Sequence, residues 1–385
     1  MDLPKPTSEV DFVSLLWTWS VWSKSLWTFS SEPVPGLHTT SMSRWPGSLN
    51  FPNVHTDITA EEYRDEEKSY KVKVENYNLT SIDFILLGLF PPSRVGLVLL
   101  ILIIPIFLIA QAGKLAMVLL ILLDTYLHTP MYILLSQLSL MDLMYICTTV
   151  PKMASSFLSR NKCIFFIGCG VQAFFFVSLA GSEGLILTSM AYDRYVATCF
   201  PLHYPIHMNK RVCVLMTLGS WVRGAINSCA HTVSILRISY FRSRAINHFF
   251  CDGPAMLTLA CGGTSVHEYT VFLSTVIFLL FPSMVILFSY GKIFLAVYCI
   301  RSQEGRKKAY FTCSSYLIVV TFYIVPFAYN YLCPKSLHLP SEDKVVAIFY
   351  TISTPMINPM FYSLRNKEVL RALGRAREML RSMKL

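Results

Sequence analysis

Seven stretches of this chain are long, apolar and nearly free of charge, at residues 96–123, 130–150, 168–192, 212–233, 269–300, 309–332 and 345–364. Each reaches the roughly 20 residues that an α-helix needs to cross a bilayer. Lipid offers backbone N–H and C=O groups no partner, so a run of this kind satisfies them internally as a helix. Composition agrees: 54% of the 385 residues are hydrophobic and 15% charged, with a mean hydropathy of +0.48. Soluble domains carry about 25% charge. The expected fold is an all-α membrane protein, a seven-transmembrane helix bundle whose termini lie on opposite sides of the bilayer.

Basic residues orient the bundle. Arg301, Arg306, Lys307 and Lys308 fall between the fifth and sixth windows, and Arg365, Lys367, Arg371, Arg375, Arg377, Arg381 and Lys384 follow the seventh. Basic clusters at membrane ends mark the cytoplasmic side, which puts the C-terminus inside and the N-terminus outside. Arg237, Arg242 and Arg244 in the loop after the fourth window weaken that contrast without reversing it. The net charge of +10 then reflects topology and contact with anionic lipid, and nucleic acid is not an expected partner.

Three regions follow along the chain. Residues 1–75 are atypical: Trp17, Trp19, Trp22, Trp27 and Trp45 are five of its six tryptophans, and a charged run follows. The aromatic stretch 11–29 is interrupted by Lys24 and lacks the basic start and small-residue cleavage site of a signal peptide. This region reads as a disordered or mis-assigned leader, with an extracellular extension as the other reading. Residues 76–366 hold the seven windows. Residues 367–385 read as an amphipathic helix on the inner membrane surface, with Val369, Leu373, Ala376, Leu380 and Met383 as its apolar stripe. Asn78-Leu79-Thr80 is a glycosylation sequon just ahead of the first window.

Several motifs occur in order through this frame. Leu127-His128-Thr129-Pro130-Met131-Tyr132 opens the second window, where Pro130 suits a helix start because its missing N–H would be unbonded there. Met190-Ala191-Tyr192-Asp193-Arg194-Tyr195-Val196-Ala197 closes the third, and the adjacent Asp193 and Arg194 are expected to neutralise each other at the membrane edge. Ser289-Tyr290 lies in the fifth window and Lys308-Ala309 with Thr312-Cys313 opens the sixth. Pro355-Met356-Ile357-Asn358-Pro359-Met360-Phe361-Tyr362 lies in the seventh. Pro282, Pro326, Pro355 and Pro359 each remove a helix hydrogen bond and provide bend points. From about Asn76 to Asn366 the chain resembles the rhodopsin-like G-protein-coupled receptors, and within them the olfactory (odorant) receptors.

That resemblance implies a set of roles. Asp142 and Glu183, the acids well inside the windows, would meet Asn358 in a mid-membrane polar cluster. Arg194, Tyr290 and Tyr362, with Asp193 and Tyr195, would form the G-protein-coupling switch. Cys169 and Cys251 would be disulfide-bonded. The odorant would sit among Phe176, Val177, Ala180, Gly181, Ser274, Thr275, Phe278, Tyr323, Phe327 and Asn330. Mostly apolar walls with a few hydroxyls and an amide suit a small, weakly polar volatile. The implied partners are that volatile, a heterotrimeric G protein of the stimulatory olfactory type that raises cyclic AMP, and the lipid bilayer. No cofactor, metal or enzymatic chemistry is implied, and the implied location is the plasma membrane.

The chain departs from the family pattern at several positions. Lys114 stands where the first helix usually has Asn, and Arg223 falls inside the fourth window. A Lys or Arg at mid-membrane costs about 2.5–3.5 kcal/mol on insertion scales. Lys114 is expected to pair with Asp142, the other reading being that it snorkels toward the cytoplasm. Phe241 replaces the usual partner of Cys261, leaving Cys261 free or paired with Cys163 or Cys333. Phe311, Tyr316 and Ile324 also differ from the pattern. A signalling-impaired receptor relic is therefore one rival reading, and a transporter or channel is the other.

Overall fold

A computed structural model describes residues 83–89, 94–158, 162–238, 245–257, 259–260, 264–300, 302–332, 340–354 and 367–382. All of them belong to one compact unit, Tyr77–Leu385. The sequon Asn78, Asn358, Tyr362, Phe241, Cys261, Cys333, Pro355, Pro359 and the N-terminal residues 1–75 lie outside the described residues.

The unit is a bundle of seven membrane helices followed by a short helix. They are α1 (Arg94–Leu123), α2 (Pro130–Leu158), α3 (Phe166–Cys199), α4 (Lys210–Leu236), α5 (Ser265–Tyr298), α6 (Gln303–Leu332) and α7, which runs from Pro340–Ile348 into a π-helical turn at Phe349–Ser353. The short helix is α8 (Lys367–Ser382). Among the described residues α1, α2, α3, α5 and α6 are each long and apolar enough to cross a membrane unaided. α4 has the length, with 27 residues, but Arg223, Asn227 and several hydroxyls dilute its apolar character.

Lipid-facing and bundle-facing surfaces separate by burial. On α1, Ile101, Leu102, Leu108, Ile109 and Leu122 are exposed while Met117, Leu120 and Ile121 are buried. An apolar surface of this extent is the mark of a membrane contact. α3 lies at the centre, packed against α2, α4 and α5. Its approach to α4 is close because Gly224 has no side chain: a Cβ there would collide with Ser182 Oγ and the Ser178 carbonyl oxygen. Ser182 Oγ donates to the Ser178 carbonyl at 2.8 Å and lies 3.1 Å from that of Ser220, so the contact also carries a polar tie. Small residues at such crossings allow the backbone approach that stabilises helix pairs in lipid.

One end of the bundle carries a small sheet that the all-α expectation did not include. β1 (Asp83–Leu86) pairs antiparallel with β2 (Cys163–Phe165) and parallel with β3 (Ala245–Ile246), in the order β2-β1-β3. These segments are short and apolar, and pairing both satisfies their backbone and buries Phe84, Leu86 and Ile246 around Cys169 and Cys251. Gly88, at φ 89°, lets the chain turn out of β1 while its N–H donates to the His248 carbonyl at 3.1 Å.

The opposite end carries α8. Val369 and Ala372 are buried where α8 packs on α1 and the turn Thr125–Leu127, whereas Leu373 of the expected stripe is exposed, beside Leu370. A protein neighbour thus receives Val369 and Ala372, while Leu370 and Leu373 stay exposed. Asp124 pins it, accepting from Arg375 Nε at 3.0 Å and Nη2 at 2.5 Å. That hydrogen bond holds the Asp124 carboxyl below its ordinary range. Arg375 also lies 5.0 Å over the Tyr126 ring.

Candidate functional site

The middle of the bundle, toward the sheet end, holds a cavity of about 80 Å³. By the same measure one water needs on the order of 10–15 Å³, so the space admits a small molecule. α3 contributes Phe176, Val177, Ala180 and Gly181. α5 contributes Ser274, Thr275, Phe278 and Leu279, and α6 contributes Tyr323, Phe327 and Tyr331. The bare face of Gly181 receives the Phe278 ring, which would stand 3.2 Å from a Cβ there. α5 turns through a π-helical segment at Val276–Leu280, where the Phe281 N–H reaches the Val276 carbonyl, and Pro282 follows. π-turns of this kind shift which residues face inward, and they recur at functional sites.

Asn330 is not on this wall. Its Nδ2 lies 3.4 Å from Asp252 Oδ2 and 3.5 Å from the Tyr350 hydroxyl, so it belongs to a polar knot under the loop and not to the cavity. Tyr350 and Tyr331 add hydroxyl donors to Asp252 at 3.3 and 3.4 Å. A buried carboxylate draws donors, and three polar groups from α6 and α7 converge on it. Burial still prevails and pushes the Asp252 carboxyl up to about 6.

Sequence reading missed the α4 side of the cavity. Asn227, His231 and Ile235 line it, with His267 and Val271 at the start of α5 and Gly253 and Pro254 from the loop. His231 Nε2 lies 2.7 Å from Ser274 Oγ, and Ser274 donates to Asn227 Oδ1 at 2.7 Å. His267 Nδ1 lies 2.6 Å from Ser234 Oγ. Two imidazoles within apolar helices were the available signal, since polar groups at membrane depth need internal partners.

The loop above the cavity is held to α3 by the Cys169–Cys251 disulfide, with Cα atoms 5.5 Å apart. Gln172, a turn further along α3, strengthens the joint: its Oε1 accepts from the Cys251 N–H at 3.0 Å and its Nε2 donates to the Thr148 carbonyl at 2.9 Å. Phe250 then packs against the Phe176 ring at 4.8 Å, and Cys251, Gly253 and Pro254 of the same loop line the cavity.

Lys114 is fully buried and its ammonium is ion-paired with Asp142, so it does not snorkel. Gln111 Nε2 also reaches the Leu143 carbonyl at 3.4 Å, reinforcing the α1–α2 contact. Glu183 on α3 acts electrostatically on the same ammonium.

At the α8 end, Asp193 and Arg194 make no direct ion pair, although the Arg194 charge still acts on the Asp193 carboxylate. Adjacent residues on a helix diverge by about 100°, which turns them to different neighbours. Asp193 accepts from the Tyr204 hydroxyl at 2.7 Å, and Arg194 is half-buried toward α6, where its charge acts on Cys313. Tyr290 is buried and stacked on Tyr316 at 5.0 Å, and the Tyr316 hydroxyl donates to the Leu187 carbonyl. Tyr316 thereby joins α6 to α3 and α5. Tyr195 packs edge-on against Phe200 at 5.7 Å.

Comparison with known proteins fits this geometry. The olfactory receptor family profile matches residues 103–379. Olfactory receptor 2L5 of Homo sapiens is 68% identical over 312 residues, covering 81% of this chain and 100% of that protein. Olfactory receptor 2L3 of Homo sapiens is 66% identical with the same coverage. Olfactory receptor 2M2 of Homo sapiens is 51% identical over 77% of this chain and 86% of its own length. With a disulfide-capped seven-helix membrane bundle, a cavity at its centre and this extent of identity, the chain belongs to the olfactory receptor family of rhodopsin-like G-protein-coupled receptors.

Proposed function

We propose that the chain is an odorant receptor of the plasma membrane. A small, weakly polar volatile occupies the cavity between α3, α4, α5 and α6 and favours a state that admits a heterotrimeric G protein of the stimulatory type, raising cyclic AMP. The observation that carries this reading is the cavity wall, which among the described residues is aromatic and aliphatic, broken by a few hydroxyls, one amide and two imidazoles, and without Asp, Glu, Lys or Arg. Such a lining suits a neutral ligand and gives an organic cation no counter-ion.

The sheet end faces outside in this reading, where an oxidising environment preserves the Cys169–Cys251 bond and Asn78 carries a glycan. The α8 end, with its basic residues, faces the cytoplasm. Asp193, Arg194, Tyr195 and Tyr290 lie toward that end, and with Tyr362 they form the coupling face. The polar core of Lys114, Asp142 and Glu183 sits between cavity and coupling face, and Asn358 joins it by family resemblance alone.

Surface labelling together with a cyclic AMP assay across a panel of volatiles tests the proposal. A ligand-dependent rise at normal surface level is expected. Ligand-gated current without G protein would point to a channel. A second reading, a receptor that folds but no longer switches, draws on the Lys114–Asp142 ion pair, which ties α1 to α2. Surface display with no response to any ligand would favour it.

A further inference from the structure

The hydroxyl groups around the cavity have already chosen their acceptors. Ser274 donates to Asn227 Oδ1 at 2.7 Å, Thr275 to the Val271 carbonyl at 2.8 Å and Tyr323 to the Ala180 carbonyl at 2.7 Å, while the Tyr331 hydroxyl lies 3.4 Å from Asp252 Oδ1. A hydroxyl has one hydrogen and two lone pairs. Each oxygen can still accept, but none has a second hydrogen to offer a ligand.

The same bookkeeping fixes both imidazoles. Because the Ser274 hydrogen is directed at Asn227, His231 Nε2 must be the donor in its 2.7 Å contact with Ser274 Oγ. Ser234 donates to the His231 carbonyl at 2.8 Å, so His267 Nδ1 must be the donor in its 2.6 Å contact with Ser234 Oγ. These tautomers are assigned from the hydrogen-bond network. His231 Nδ1 is then a lone-pair nitrogen and Ser274 Oγ keeps a second lone pair, while the His267 ring lies beside Gly253, where a Cβ would stand 3.7 Å from its Nε2. Gly253 itself lines the cavity. The exception among these groups is the Asn227 amide: with Oδ1 turned to Ser274, its N–H pair faces the oxygen of an alcohol, ether or ketone alike, so an alcohol differs from the others by the one further hydrogen bond it can donate.

We infer that the Asn227–His231–His267–Ser274 corner is the polar subsite of the cavity, and that it selects a neutral ligand whose polar group donates a hydrogen bond, an alcohol or a phenol, over the ether or ketone of the same skeleton. The hydroxyl hydrogen is taken by a lone pair of this corner and its oxygen accepts from Asn227, while the hydrocarbon body lies against Phe176, Phe278 and Phe327. This inference rests on the reading of the cavity as the odorant site.

The test uses the purified full-length chain in lipid nanodiscs, melted in the presence of cyclohexanol, methoxycyclohexane or cyclohexanone. Cyclohexanol is expected to raise the melting midpoint at concentrations about tenfold lower than the other two, the scale of one neutral hydrogen bond. Ser274→Ala removes the acceptor of the His231 Nε2 hydrogen and frees that donor, so the preference should shift toward the ketone. A loss of general stability would instead move all three compounds alike. Thr270→Val, whose hydroxyl bonds its own helix on an exposed face, should leave the ranking unchanged.

Equal potency of alcohol and ketone on the unchanged chain overturns the inference, as does a failure of all three to stabilise it or an unchanged ranking in Ser274→Ala. If that variant is not recovered, the ranking on the unchanged chain decides alone. Melting reports binding without a G protein. A chain that binds cyclohexanol tightest yet never raises cyclic AMP therefore refutes the proposed signalling and leaves this inference standing.

Discussion

Lys114 offers the sharpest test of how this bundle is held. Its ammonium and Asp142 are both buried and ion-paired across α1 and α2. Removing either partner strands a charge, which typically costs about 3–5 kcal/mol. A stranded group can escape by neutralising itself, and that sets a ceiling. Protonating a carboxylate of ordinary pKa at pH 7 costs about 4 kcal/mol, and deprotonating a lysine about 4.6 kcal/mol. Glu183 acts on the same ammonium and softens the loss of Asp142. Lys114→Met and Asp142→Asn should therefore each destabilise the bundle by roughly 2–4 kcal/mol, and the double variant, with no charge left to strand, by about 1 kcal/mol. Surface display and heat inactivation of the four chains give the cycle. Single-variant losses that add within about 0.5 kcal/mol would refute the pairing as an energetic unit. Lys114→Asn should also change basal or stimulated cyclic AMP, since it loosens the tie between the two helices.

Further tests reach other regions of the molecule. Arg194→Ala should abolish ligand-driven cyclic AMP while surface level stays within about two-fold, because a half-buried terminal charge contributes little to folding; retained signalling would argue for another coupling route. Cys251→Ser should sharply reduce display, the loss of a native disulfide costing about 2–5 kcal/mol in small secreted domains, and peptide mapping of the surface protein should find Cys169 and Cys251 linked. Gly224→Leu should prevent α3 and α4 from docking at Ser182 and abolish display, whereas Gly219→Leu, with open space around it, should be tolerated. For Asp252, whose carboxyl is raised from its ordinary value of 3.8 to about 6, the folded state holds its proton more tightly than the unfolded chain. Stability from this group is fully present below pH 3.8 and is lost as pH rises through about 6, by an amount on the order of 3 kcal/mol. His248, pushed down to about 3 by burial, is neutral in the fold but takes up a proton in the unfolded chain below its ordinary value of 6.5, so its contribution rises with pH over the same window and opposes that of Asp252. The Asp252 step is therefore read as a difference: the stability of the unchanged chain relative to Asp252→Asn should fall as pH rises from about 4 to 6, and a constant difference would refute it.

The helices were legible because membrane depth imposes a simple requirement: long apolar runs with charge at the ends. Charges that break the rule were legible too: Asp142 and Glu183 as acids inside apolar runs, and Lys114 as a departure from the family pattern. The small sheet was not, because strands as short as Ala245–Ile246 draw their stability from partners distant in sequence. The cavity wall was legible on α3, α5 and α6 only through family resemblance. On α4 the same resemblance pointed elsewhere, and Asn227 and His231 were passed over. Which face of a helix meets a cavity depends on how it crosses its neighbours, and the crossing here is set by Gly224 against Ser182. Asn330 failed for a related reason: an amide near a cavity turns to the strongest acceptor within reach, which is Asp252.

The bare face of Gly224 also decides where motion can occur. With Ser182 seated against it and Ser228 Oγ donating to the Phe174 carbonyl at 2.5 Å, α3 and α4 are joined above and below their point of closest approach. The disulfide and Gln172 lock the overlying loop to the same pair. One jaw of the cavity is thus fixed. The other is α5, with its π-turn at Val276–Leu280 and Pro282 just beyond, and α6, with Pro326 inside it. The outer end of α5 is itself tied to α4, Ser274 to Asn227 and His231, and His267 to Ser234, so the bend points at Val276–Leu280 and Pro282 lie just below a held segment. Under the proposed receptor function, the movement that follows ligand binding is expected on α6 and on α5 beyond that turn, toward Tyr290 and its stacked partner Tyr316, with α3 and α4 as the anvil.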